Sequence, residues 1–290
     1  MKYILSIIFC ILTFFAKAQS IDKLIAQTEE YLTVYNTLSS WAKPYTIKDF
    51  NFTKQELKDV SVKNDTIDNF DVIIIFQGRI LENIDKIAHH KDFPKKGSDF
   101  FVSSPDKKLF NFVLDEKTGG SYRSRLSCIY YLENNKIIYK ECGYSDTLIV
   151  NGIKVVERNF DLTSLFNRDG YYSIDTIQTN SGVKYLLQGD VIYCNTCLDR
   201  YITLVKFENG SPVSEFSYEL SSRFGYVEQF DYDAVTKTIT IAFETDDLTG
   251  RESDYDTYDE YCKSVFTFDG ETFELTESYW KKTKKDSQDR

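Results

Sequence analysis

The chain has 290 residues and carries 45 acidic against 35 basic side chains, for a formal charge of −10. That balance argues against nucleic acid as a partner, because affinity for phosphates depends on clustered Lys and Arg. Tyr (21) and Phe (22) are abundant while Pro (4), His (2) and Met (1) are scarce, and aromatic enrichment suits half-buried pleated surfaces.

Residues 1–18, MKYILSIIFCILTFFAKA, read as a signal peptide. Lys2 supplies the positive n-region, Tyr3 to Phe15 form a short apolar run, and Ala16-Lys17-Ala18 matches a small-x-small cleavage site. Cleavage near Ala18 would leave Gln19 as the mature N-terminus and 33 basic against 45 acidic residues, a formal charge of −12. A secreted or periplasmic location is therefore expected. No later stretch has the roughly 18–20 apolar residues of a membrane helix.

Residues 19–97 read as an N-terminal helix and a mixed segment that pack on a β domain. The helix is amphipathic: Ile21, Leu24, Ile25, Thr28, Tyr31, Leu32, Tyr35 and Leu38 form one stripe, Ser20 caps its start, and Pro44 stops any continuation. Thr53 to Glu56 has the spacing of a capping box. Asp71 to Phe76, DVIIIF, reads as a buried strand, and Ile80 to His90 as a short helix.

Residues 98–280 read as a repeated antiparallel β domain. Three segments, Asp99 to Cys142, Tyr171 to Leu220 and Tyr226 to Trp280, each parse into four strands, a to d. The a–b turns fall at Ser104-Pro105-Asp106, Asn180-Ser181-Gly182 and Asp233 to Thr236. The c–d turns fall at Glu133-Asn134-Asn135, Glu208-Asn209-Gly210 and Asp269-Gly270. The spacing is 29 residues from Asp106 to Asn135, 28 from Ser181 to Asn209, and 34 from Val235 to Asp269. The expected class is mainly β, built of four-stranded meanders, with a propeller-like roll and a two-sheet sandwich both fitting. Residues 281–290 form a basic tail.

In this parse the b–c loops share one edge: Glu116 to Ser121, Asp190 to Asp199 and Thr245 to Glu260. Loops held on a rigid scaffold are where binding residues concentrate. Thr118, Gly119 and Gly120 of the first loop, and Asp246, Asp247, Asp254, Asp256 and Asp259 of the third, are the candidate binding residues. The acidic loop offers the hard oxygens that calcium takes, but lacks the glycine of an EF-hand. A charge-rich loop of this kind is more often simply solvated, so no cofactor is expected, with calcium the alternative.

After the signal, five cysteines remain, an odd number for an oxidising compartment. Cys128 and Cys142 flank a hairpin centred on Asn134-Asn135. A three-residue loop sets them opposite each other, whereas a two-residue loop pairs Cys128 with Glu141. Cys194-Asn-Thr-Cys197 has strand-like flanks and no following helix, unlike a redox dithiol, and reads as a loop-closing disulfide that leaves Cys262 over.

His89 and His90 are adjacent in a lysine-rich stretch, and no nucleophile elbow or H-E-x-x-H pattern occurs. The expectation is a non-enzymatic binding or interaction protein directed at an unknown protein or glycan. The alternative is a secreted hydrolase acting on glycan or cell-wall material through a carboxylate pair.

Overall fold

The computed structural model describes residues 19–58, 60–117, 123–142, 145–150, 153–157, 166, 169–192, 197–223, 227–245 and 258–284. The first helix, α1, spans Ile21–Thr37. Ser20 caps it, accepting from the Lys23 amide at 3.4 Å, and the expected stripe is the buried one, through Ile21, Leu24, Thr28 and Tyr35. The helix ends well before Pro44. Its last carbonyls are taken by Lys117, whose Nζ donates to the oxygens of Leu38 (3.0 Å) and Asn36 (3.3 Å), a cation where the helix dipole favours one.

Three two-residue strands follow, β1 (Tyr45–Thr46), β2 (Val62–Lys63) and β3 (Thr66–Ile67), as a small antiparallel sheet. The capping-box bonds at Thr53 and Glu56 are both made, at 2.7 and 3.2 Å, although tight turns follow rather than an α-helix. Glu56 is also held by the Arg79 guanidinium, at 2.7 and 2.8 Å, which pins this segment to the second helix.

That second helix, α2, spans Asn69–Ala88 and overturns the expected strand at Asp71 to Phe76. The helix expected from Ile80 is its second half. Asp68 caps it, accepting from the Phe70 amide at 2.8 Å. The run VIIIF shows no helical period in sequence because Ile74, on the exposed side of the helix, is as apolar as the buried Val72, Ile73, Ile75 and Phe76, so no polar position marks the open face. Periodicity cannot distinguish such a run from an interior strand. A 3₁₀ turn, Ser98–Phe100, leads into the sheets.

All three expected meanders form. Sheet 1 is β4 (Val102–Ser103), β5 (Leu109–Asp115), β6 (Arg125–Glu133) and β7 (Lys136–Cys142). A hairpin, β8 (Ser145–Val150) and β9 (Ile153–Glu157), intervenes. Sheet 2 is β10 (Ser173–Thr179), β11 (Gly182–Ile192), β12 (Cys197–Glu208) and β13 (Ser211–Arg223). Sheet 3 is β14 (Val227–Asp233), β15 (Thr238–Thr245), β16 (Tyr258–Phe268) and β17 (Phe273–Lys284).

The sheets stack face to face in chain order. One face of sheet 1, through Phe110, Phe112, Leu126 and Tyr130, shares a core with α1 and α2. Its other face, through Leu109, Ile129 and Tyr131, packs on Tyr185, Leu187, Tyr201 and Val205 of sheet 2. The far side of sheet 2, through Leu186, Ile202 and Leu204, packs on Phe230, Ile239, Ile241 and Phe273 of sheet 3. This is a series of blades covered by helices at one end, and not a two-sheet sandwich. Layer position explains the sequence patterns. Strand β6 is buried almost throughout because sheet 1 is covered on both faces, whereas β14 at the end of the stack buries Phe230 between exposed polar neighbours.

The Cys128–Cys142 disulfide forms, by a route the sequence did not supply. The connection is the two-residue turn, Asn134 and Asn135 both lying in the left-handed region at φ 51° and 59°. A bulge past Tyr131, at Ile138, then shifts the register by one and brings Cys142 opposite Cys128. The closed loop has a sequence separation of 14. Replacing both cysteines by alanine is expected to cost about 3 kcal/mol, read as a lowered urea midpoint. An unchanged midpoint would show that the bond does not restrain the unfolded chain.

Candidate functional site

The turns fix which way each blade points. Tyr185, near the a–b turn of sheet 2, donates to Asp106 in the a–b turn of sheet 1 at 2.9 Å. At the c–d turn of sheet 2, Gly210 lies against Ile138 beside the c–d turn of sheet 1. Ser181 and Lys184 of sheet 2 both bond Glu271, in the c–d turn of sheet 3. All the a–b and c–d turns therefore gather at one end of the stack, and all three b–c connections leave from the other.

At that other end, sheets 1 and 2 are joined by polar bonds. Arg125 at the start of β6 donates to the Asp190 carboxylate at 2.6 Å and to its carbonyl at 2.5 Å. The Arg123 amide donates to the Ile192 carbonyl at 2.8 Å, and the Arg125 amide to the buried Asp169 at 3.0 Å. Asn111 is fully buried; it donates to Ser127 Oγ (2.7 Å) and the Cys128 carbonyl (3.1 Å), and accepts from the Tyr171 amide (2.7 Å). Tyr201 donates its hydroxyl to the Gly170 carbonyl. The helical layer is tied to the same edge, through Tyr35 to the Asp115 carbonyl (2.5 Å) and Gln77 to the Glu116 carbonyl (3.0 Å).

This frame carries the candidate loops. Thr118, Gly119, Gly120, Asp246, Asp247, Asp254 and Asp256 lie outside the described residues, as does Cys194. Asp259 is described only in its backbone, and it corrects the expected loop boundary: it lies within β16, opposite Thr283, so the acidic connection ends by Tyr258. The second connection is shorter than expected too, because Asp190 to Ile192 and Cys197 to Asp199 pair as strand. Cys197, at the start of β12, is disulfide-bonded. Cys262 lies inside β16, opposite Phe243 and Trp280.

One residue of this end escaped sequence reasoning. Tyr172 is about half exposed just before β10, and its hydroxyl is raised by burial, with Arg200 opposing and Asp190 and Asp231 adding to the shift. Among 21 tyrosines, nothing in the sequence singles it out. The histidines serve helix α2 locally: His89 Nδ1 lies 2.8 Å from the Asp85 carbonyl, and His90 Nδ1 accepts from the Asp92 amide at 3.2 Å. Among the described residues no three His, Cys, Asp or Glu side chains group as a metal site, and no helix is long and apolar enough to cross a membrane.

Fold and frame together define a class, a stack of four-stranded blades whose b–c connections leave from one end. No family model, curated protein or solved structure matches the chain.

Proposed function

We propose that this chain is an exported, non-enzymatic binding protein that engages a protein or glycan through the b–c connections at one end of the blade stack. The observation that carries the reading is the interlocking of the a–b and c–d turns at the other end. The strands that lead into the three b–c connections, one glycine-containing, one with the Cys-x-x-Cys pair and one acidic, therefore all run to the opposite end of the stack, where loops on a scaffold serve binding. Half-exposed Tyr172, next to Arg200 and Asp190, adds an aromatic surface of the kind that contacts sugars and peptides at little entropic cost.

The test is to titrate the exported protein, whose mass should begin at Gln19, against panels of glycans, peptidoglycan fragments and peptides while following product formation. Binding without turnover is expected, weakened about tenfold or more by the pair Tyr172→Ala and Asp254→Asn if both contribute as interface anchors do. Hydrolysis that disappears on mutating a loop carboxylate would overturn the reading in favour of a carboxylate-pair hydrolase.

A further inference from the structure

Strand β17 closes sheet 3, and among the described residues no strand pairs with its outer edge. It is a long edge, Phe273–Lys284, exposed from Glu274 through Lys281. Two of the large exposed aromatic side chains lie on it, Tyr279 at 52 % and Trp280 at 55 % exposure. An open strand of this length is a template for further pairing unless something covers it.

The order of charges along the strand indicates the cover. Glu277, Tyr279 and Lys281 share one face, since they stand opposite Val265, Lys263 and Tyr261 of β16. Ser278 and Trp280 share the other, opposite Ser264 and Cys262. Two copies of β17, antiparallel about a two-fold axis perpendicular to the sheet, keep matching faces together only if a residue sits on the axis. With Tyr279 there, Glu277 of each copy stands opposite Lys281 of the other, twice over. An axis at Ser278 sets Glu277 opposite Tyr279 instead, and one at Trp280 sets it opposite Thr283, so both neighbouring registers lose the pairing.

We infer that β17 is a self-association edge, joining two copies of the chain into one continuous eight-stranded sheet with Tyr279 on the axis. Glu277 enters this pairing with its charge largely unspent. Among the described residues its ion-pair partner is Lys263 at 4.0 Å, and it stays 69 % exposed. The two Tyr279 rings meet directly opposite each other, an aromatic cross-strand pair. On the other face each Trp280 stands opposite Ser278 and diagonal to the second Trp280, within aromatic reach. Lysines on an edge strand usually blunt it, but here Lys281 has a carboxylate partner four residues away in the same strand, which an antiparallel copy supplies. The inference is independent of the proposed function, because β17 is the outer strand of its sheet and takes no part in the b–c connections.

Sedimentation velocity of the intact protein from micromolar to sub-millimolar concentration should show a reversible dimer that weakens with added salt. The single variants Glu277→Lys and Lys281→Glu should each raise its dissociation constant about tenfold or more, since two attractive pairs become repulsive. An equimolar mixture of the two variants should dimerise again, because each then supplies the charge the other lacks. Under a mild oxidant such as oxidised glutathione, which accepts the two electrons, Tyr279→Cys should form an intermolecular disulfide, since directly opposed strand residues lie within disulfide reach, whereas Leu275→Cys should not. A monomer at every concentration, a dimer indifferent to both charge variants, or a mixture no better than its components would each overturn the inference. The cysteine pair retains a readout if a charge variant melts early.

Discussion

Alanine at position 189 should destabilise the protein by about 3 kcal/mol or more, the upper range for forcing atoms into a packed interior. Gly189 lies in β11 directly opposite Tyr201. A Cβ there would fall 2.2 Å from Tyr201 Cε2 and 2.5 Å from the Gly170 carbonyl oxygen. Neither neighbour can give way cheaply. The Tyr201 ring is buried in the core between sheets 1 and 2, lies edge-on to Tyr171 at 5.5 Å, and donates its hydroxyl to that same Gly170 carbonyl. Gly170 is fixed in turn by its left-handed φ of 79°, with Val113 Cγ2 at 2.6 Å from its own virtual Cβ. Urea unfolding should show the loss, and Tyr201→Leu, which removes the clashing ring, should make the double variant less than additive. Gly78 provides the contrast. It lies inside α2 with nothing within 4 Å of a virtual Cβ, so Gly78→Ala should raise stability by about 0.5–1 kcal/mol through helix propensity alone. Equal effects at the two glycines would refute the packing at Tyr201.

Lys184 is the second large effect. Its side chain is only 2 % exposed, yet its ammonium bridges Glu215 at 2.5 Å and Glu271 at 2.8 Å, where sheet 2 meets sheet 3. Lys206 approaches the other oxygen of Glu215 at 2.7 Å. Burial alone would lower the Lys184 pKa, but the bonds from the two glutamates raise it overall. Burial alone would raise that of Glu215, and the two lysines hold it below its usual value. Lys184→Met leaves a largely buried carboxylate with one partner. It should cost about 2–3 kcal/mol, below the 3–5 of a fully broken buried pair because Lys206 remains. Lys184→Met with Glu215→Met should recover part of that loss, since no unpaired charge stays inside.

The pH dependence follows from the directions of these shifts. A lowered Glu215 pKa contributes stability above the ordinary glutamate value near 4.3, and the contribution fades as pH falls through the folded value. A raised Lys184 pKa contributes below the ordinary lysine value near 10.4 and fades as pH climbs past the folded one. Stability should therefore plateau between these limits, and the acid limb should flatten in Lys184→Met. An acid limb identical in wild type and variant would show that Glu215 does not feel Lys184.

The parts legible in the sequence were those set by local chemistry. Paired asparagines, Asn-Gly and Asp-Gly fix turns through residues that tolerate positive φ, so the meanders were readable to within a few residues. Ser20 and the stripe from Ile21 to Leu38 specified α1 for the same reason, since a cap and a period are properties of one segment. What failed depended on packing. The run from Val72 to Phe76 lost its helical signature because Ile74, exposed on α2, is as apolar as its buried neighbours, and only packing decides which of them faces out. The cystine at Cys128 depended on a bulge at Ile138, and a bulge is invisible to a count of residues between cysteines.

The candidate site divides along the same line. The sequence by itself determined that three four-stranded units exist, that their b–c connections differ in chemistry, and that one is strongly acidic. Only the tertiary structure decided that the units stack as blades in chain order with their turns interlocked, because Tyr185 with Asp106 and Lys184 with Glu271 are contacts 79 and 87 residues apart in the chain. Turns are written in neighbouring residues, whereas the direction in which one sheet faces the next is settled by side chains that meet only after folding.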